Sequence, residues 1–151
     1  MLNTTQLQAL KADILANHSA EWAAGQVNLI AEAYNAAASG PFVVWRTSIT
    51  GEQVRAAVDW AEVIALAQGE RDTFRFLVEG NINASDPNIR AAFVAVFAAG
   101  TTRTNLIALA KRDASVVEAM FATGTGSDAD PATLTHEGAI SGSIVVAAMG
   151  S

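Results

Sequence analysis

Three stretches of this chain bring together side chains with catalytic or ligand-binding potential. The run Thr123-Gly124-Thr125-Gly126-Ser127 has the glycines and hydroxyls of a phosphate-cradling loop. Such a loop needs Gly, four residues, then Gly-Lys-Ser/Thr, because the lysine neutralises phosphate charge. No lysine stands here, and the charges that follow are acidic, so the run reads as a flexible loop. Next come Asp128, Asp130, His136 and Glu137, all hard-metal ligands by type. Oxygen ligands at alternate positions could open a calcium loop, but the EF-hand pattern wants Gly sixth and Glu twelfth. Thr133 and Ala139 occupy those places, which favours a solvated acidic loop and no metal site. Ser127, His136 and Asp130 can be drawn as a hydrolytic triad. The strand–Gly-x-Ser-x-Gly–helix context that exposes a nucleophile is missing. Glu70 and Asp72 sit among Arg71 and Arg75, as on an ordinary helix surface. The expectation is a chain that is not an enzyme, with no catalytic residues and no cofactor.

The third stretch is Trp45-Arg46-Thr47. In an extended segment alternate side chains point to opposite faces. Trp45 can enter the core while Arg46 caps helix carbonyls or pairs with a carboxylate. Alternatively the pair anchors a subunit interface, where Trp and Arg are enriched. Both readings can hold in a ring.

The elements that carry these residues read as mainly α. The spacing predicts a compact helical bundle with one extended segment, at about 42–48, and a long C-terminal loop and tail. Thr5 with Gln8 offers a capping box ahead of Leu7, Leu10 and Ile14. A second helix is expected over roughly 20–38, weakened at Gly25 and ended by Ser39-Gly40-Pro41. Phe42 to Thr47 is β-branched and aromatic; the only comparable run is Ile144-Val145-Val146, so an extended segment crossing a helical body is expected. Thr50 with Gln53, and Asp59 with Glu62, mark helix starts, followed by a helical stretch from Glu70 to Glu79. Asp86-Pro87 is the strongest local signal, an N-cap followed by Pro at the first helical position. Ile89, Ala92, Phe93, Val96 and Phe97 then form one apolar face. A helix is expected over 102–112, and a short one after Asp113 or Ser115. Residues 122–138 lack periodicity and read as a loop that is mobile in the free subunit. The tail from Ile140 to Ala148 allows either a helix or a strand. The expected division is a helical domain at 1–121 and a loop and tail at 122–151 used for subunit contacts.

Composition narrows the function classes. The 151 residues include no cysteine, which excludes disulfide scaffolds and thiolate chemistry. Alanine fills 32 positions and aromatics only 7%, so the apolar tally brings little burial area. A thin core completed by neighbouring subunits follows. Nine bases face fifteen acids, against nucleic acid as a direct ligand. No base follows Arg112, while Asp113, Glu118, Asp128, Asp130 and Glu137 do. That acidic quarter suits a solvated surface, a channel lining or a basic partner. No membrane span or targeting segment is read, so a soluble intracellular protein is the default.

Four segments carry a family resemblance: Val44-Trp45-Arg46-Thr47, the Asp86-Pro87-x-x-Arg90-Ala91-x-Phe93 helix start, Lys111-Arg112, and Met120-Phe121-Ala122-Thr123-Gly124-Thr125-Gly126-Ser127. Over positions 42–138 the chain resembles head–tail connector, or adaptor, proteins encoded among the head genes of tailed bacteriophages and prophages. The resemblance implies a mostly helical structural protein of the virion neck, assembled in the host bacterial cytoplasm. It would form a ring of about twelve copies beneath the portal. Its partners would be itself, the portal protein and a neck or tail protein, with DNA only as passing cargo and no membrane. Trp45, Arg46, Thr47, Asp128, Asp130 and Glu137 are the candidate interface residues. The competing classes are a capsid decoration or tail-completion protein, and a small hydrolase using His136 with the acidic loop.

Overall fold

The computed structural model describes all 151 residues. The chain is mainly α, with ten helices and three two-stranded pairings. It divides into two compact units: a terminal unit, Met1–Val43 with Asp113–Ser151, and an inserted unit, Val44–Arg112. The sparse apolar content is thus shared between two cores rather than gathered in one bundle.

The first arm of the terminal unit begins with α1 (Thr4–Asn17). Its cap is Asn3 rather than Thr5: Gln6 N donates to Asn3 Oδ1 at 2.9 Å, and Asn3 N donates to Gln6 Oε1 at 3.0 Å. Leu10 and Ile14 are fully buried, as their spacing predicts. The second helical stretch splits at Gly25, which takes φ +69°, into α2 (Ser19–Ala23) and α3 (Val27–Asn35). Ile30, Ala31 and Tyr34 of α3 point inward. The chain then becomes extended as β1 (Val43–Trp45).

The inserted unit continues through β2 (Ile49–Thr50), α4 (Gly51–Ala57), α5 (Trp60–Ala65), α6 (Gln68–Leu77), β3 (Asn81–Ile82), α7 (Pro87–Val96) and α8 (Thr101–Leu109). Strand β2 pairs antiparallel with β3, Ile49 opposite Ile82. The predicted caps form. Gln53 N donates to Thr50 Oγ1, Ala61 N to Asp59 Oδ1 at 2.9 Å, and Asn88 N to Asp86 Oδ1 at 2.8 Å. Ile49, Val54, Phe74, Val96 and Phe97 lie in the core of this unit. The face of α7 is the expected one: Val96 and Phe97 are buried, Ile89 and Phe93 pack against the same core half-buried, and Ala91, Val94 and Ala95 are exposed.

The expected helix over 102–112 stops at Leu109. Lys111–Asp113 forms β4 and pairs with β1. The extended segment therefore has a strand partner where the sequence reads helix. Arg46 N takes the Ala110 carbonyl at 2.8 Å, so long-range pairing outweighs local helix propensity there.

The returning arm holds α9 (Val116–Met120), the antiparallel hairpin of β5 (Ala122–Thr123) and β6 (Thr133–Leu134), and α10 (Gly142–Met149). The tail is a helix packed on α1 and α3. Its Val145 and Ala148 are buried in one cluster with Leu10, Ile14 and Ile30. The expected boundary between 121 and 122 is accordingly not where the chain divides. The thin core of the terminal unit needs apolar residues from both ends of the chain. No helix is long and apolar enough to cross a membrane.

Candidate functional site

Strand β1 sets the direction of Trp45 and Arg46. The Trp45 ring packs against the core of the inserted unit, and the Arg90 guanidinium stacks 4.4 Å from its centroid. A cation over an indole face is attracted by the ring quadrupole. Arg90 is itself fixed by donating to the Ala84 and Ser85 carbonyls at 2.6 and 2.9 Å. Arg46 Nε donates to the Lys111 carbonyl at 3.1 Å, just past the end of α8. Trp45 thus enters its own core while Arg46 holds backbone carbonyl oxygen. Thr47 is half-buried beside them in sequence.

The acidic stretch lies elsewhere, in the terminal unit. Asp128, Asp130 and Glu137 are all exposed. The β5–β6 connection is tied by its own hydroxyls: Thr125 Oγ1 donates to the Asp130 carboxylate at 3.0 Å, and Asp130 N donates to Ser127 Oγ at 3.0 Å. His136 Nε2 is 3.0 Å from the Gly138 carbonyl, and its ring lies edge-on to Phe121. Ser127 and His136 are thus engaged with different partners. No group of three or more His, Asp or Glu side chains is close enough to hold a metal ion.

Rather than an untied loop, 122–138 is anchored at several points. Val43 N donates to the Gly126 carbonyl at 2.8 Å, and Ala132 N donates to the Val43 carbonyl at 2.9 Å. Gly126, at φ +67°, lets the backbone approach the Phe42 ring where a Cβ would sit 2.4 Å away. Two side chains that sequence reasoning missed hold the far end. Buried Glu118 accepts from Ser115 N at 3.1 Å and from Gly138 N at 2.9 Å. Asn35 makes two 2.8 Å bonds to the backbone of Ile140, one as donor and one as acceptor. The Ser115-x-x-Glu118 spacing signals a capping box, but not the carboxylate's second partner.

A further polar group lies on α1 and α3. The Tyr34 hydroxyl, on a residue 1% exposed, donates to the Asp13 carboxylate, which also accepts from Asn17 at 3.0 Å. Burial, reinforced by the Asp13 hydrogen bond and charge, holds the Tyr34 phenol well above its ordinary pKa. Tyr34 therefore stays a neutral donor and does not act as a base.

In the inserted unit, Glu62 caps α8 from a distance in sequence. Gly100, at φ +106°, has no side chain to cap with, and a Cβ there would lie 2.4 Å from Glu62 Oε1. Glu62 instead accepts from Thr101 N and Thr102 N, both at 2.8 Å. Hydrogen bonds from Thr102 first, then Thr101, hold its carboxyl below the ordinary carboxylate pKa. A lowered folded-state pKa contributes stability above the unfolded value of 4.5, which is lost as pH falls through the folded one. Glu62→Gln is expected to lower Tm at pH 7, with the difference closing below pH 4.5; thermal melts across pH check this. Glu62 also borders an open cleft of about 290 Å³ lined by Leu66, Glu70, Val96 and Phe97. Glu70 is occupied in capping α6 through Ala67 N at 2.9 Å. The two carboxylates of the cleft thus serve helix ends.

Comparison with protein-family models, with curated proteins and with solved structures gives no match for this chain.

What the surface offers is apolar area and segregated charge. Trp60, Ile64 and Phe76 in the inserted unit are 51, 71 and 76% exposed. The terminal unit carries Lys11 as its sole base against eight carboxylates, whereas the inserted unit holds the other eight bases against seven. Such surfaces suit association with other macromolecules.

Proposed function

We propose that this chain is a structural virion protein of a tailed bacteriophage, a head–tail connector (adaptor) subunit that forms a ring beneath the portal. One observation carries the reading. Three of the four segments that bear the family resemblance, though scattered from Val44 to Arg112, meet in one cluster. The Arg90 guanidinium from the Asp86-Pro87 helix covers Trp45, and Arg46 holds the carbonyl of Lys111. These residues thus share one structural role in the inserted unit, which is what supports the reading. The thin divided core and the exposed Trp60, Ile64 and Phe76 support a subunit whose burial is completed by neighbours.

In this reading the partners are further copies of the chain, the portal protein and a neck or tail protein, and DNA passes as cargo. The segment 122–138 reaches a neighbouring subunit through Asp128, Asp130 and Glu137. Trp45, Arg46 and Thr47 support the interface from within the inserted unit. The protein acts without a cofactor and catalyses no reaction. Disrupting the gene in its phage is expected to leave DNA-filled heads and free tails unjoined in the lysate. Normal yields of complete, infectious particles would contradict the proposal.

A further inference from the structure

We infer that the inserted unit is a separately cooperative module, which opens and recloses while the terminal unit stays folded. The two apolar cores share no residue. Leu10, Ile14, Ile30, Val117 and Val145 close the core of the terminal unit, and Ile49, Val54, Phe74, Val96 and Phe97 that of the inserted unit. Opening one core therefore exposes no buried apolar side chain of the other, and cooperative opening follows such boundaries. Key polar ties divide in the same way. Asn35 holds Ile140 and Glu118 holds Gly138 within the terminal unit. Glu62 holds Thr101 and Thr102 within the inserted unit, and Asn105 donates to the Ala57 carbonyl at 2.8 Å.

Chain order and burial decide which unit opens more readily. The inserted unit is one continuous segment, and its two ends, Val44 and Arg112, lie in the paired strands β1 and β4. The terminal core takes α1 and α3 from one arm and α10 from the other. An opened inserted unit is then a loop between arms that stay packed, and loop-closure entropy grows only with the logarithm of loop length. Leu10, Ile14, Ile30, Val117 and Val145 are fully buried in the terminal core, whereas each buried member of the inserted core keeps 2–8% of its surface exposed. Trp60, Ile64, Phe76, Val94 and Ile107 of the inserted unit already face solvent. The inserted unit thus loses less burial on opening, which places it at the low-stability end of the molecule.

Amide hydrogen exchange of the full-length chain in rising, sub-denaturing urea tests this, read by mass spectrometry on peptic fragments. In the wild type, amides of α4, α7 and α8 should share one opening transition, at lower urea than the amides of α1, α3 and α10. Phe97→Ala should speed exchange in α4, α7 and α8 at least about tenfold and leave α1, α3 and α10 within about twofold. If that variant leaves the inserted unit open altogether, unchanged protection of α1, α3 and α10 is the same result. Val145→Ala should do the converse and speed exchange in the terminal unit alone. A single transition shared by all these helices in the wild type overturns the inference, as does opening of α1, α3 and α10 at the lower urea. Equal acceleration of both units by Phe97→Ala, or loss of protection throughout, overturns it too. All of this is read on the purified chain, whereas the connector reading is tested on phage particles, so either can fail separately.

Discussion

Phe97→Ala is expected to destabilise the protein by about 3–5 kcal/mol. Phe97 is 4% exposed and sits at the C-terminal end of α7. Its ring meets Phe74 edge to face, with centroids 5.4 Å apart and planes at 85°. Truncation removes the transfer free energy of a whole ring, leaves a cavity and forfeits the aromatic pair. The core around it is thin, since Ile49, Val54, Val58, Val63 and Val96 offer little volume to fill the gap. Phe93→Ala should cost clearly less, because that ring is only half-buried. Urea unfolding of both variants checks the order. Equal losses, or a loss below about 1 kcal/mol for Phe97→Ala, would show that α7 packs by another face.

Glu118→Ala comes next in size, at about 1–3 kcal/mol. The side chain is 5% exposed, and its carboxylate takes the Ser115 and Gly138 N–H groups. Alanine would leave the Ser115 and Gly138 donors without this acceptor; Gly138 is exposed and can turn to water, so the loss is about that of one partly buried donor, roughly 1–3 kcal/mol. The Gly138 bond is also what returns 122–138 to α9, so its loss should open that stretch. Limited proteolysis of Glu118→Ala should cut between β5 and β6 faster than in the wild type, and Glu118→Gln should fall in between. Wild-type stability and cutting rate in Glu118→Ala would contradict the role given to this carboxylate.

Local signals carried much of the fold. Asp86-Pro87, Thr50 with Gln53, and Ser115 each start a helix where the sequence places one, because a cap is decided within four residues. Gly25 splits a helix for the same reason. What failed depended on distant partners. Lys111–Asp113 has helical neighbours but pairs with β1, and nothing within a few residues announces that. Glu62 reads as a first-turn acid of its own helix, yet it caps α8 some forty residues away. The stretch 122–138 lacks periodicity, but order there comes from hydrogen bonds to Val43 and Glu118, which leave no periodic trace. Trp45 and Arg46 were legible as a pair with two possible roles. The contacts with Arg90 and the Lys111 carbonyl satisfy the core-and-cap role within one unit.

The connector proposal is tested most directly by counting this subunit in purified phage particles, by quantitative mass spectrometry against the portal protein. A ring beneath the portal predicts about one copy per portal subunit, roughly a dozen per particle, all retained on the head when the tail is removed. Hundreds of copies per particle would make it a capsid decoration protein, and its absence from particles would remove it from the virion altogether. Either result contradicts the proposal.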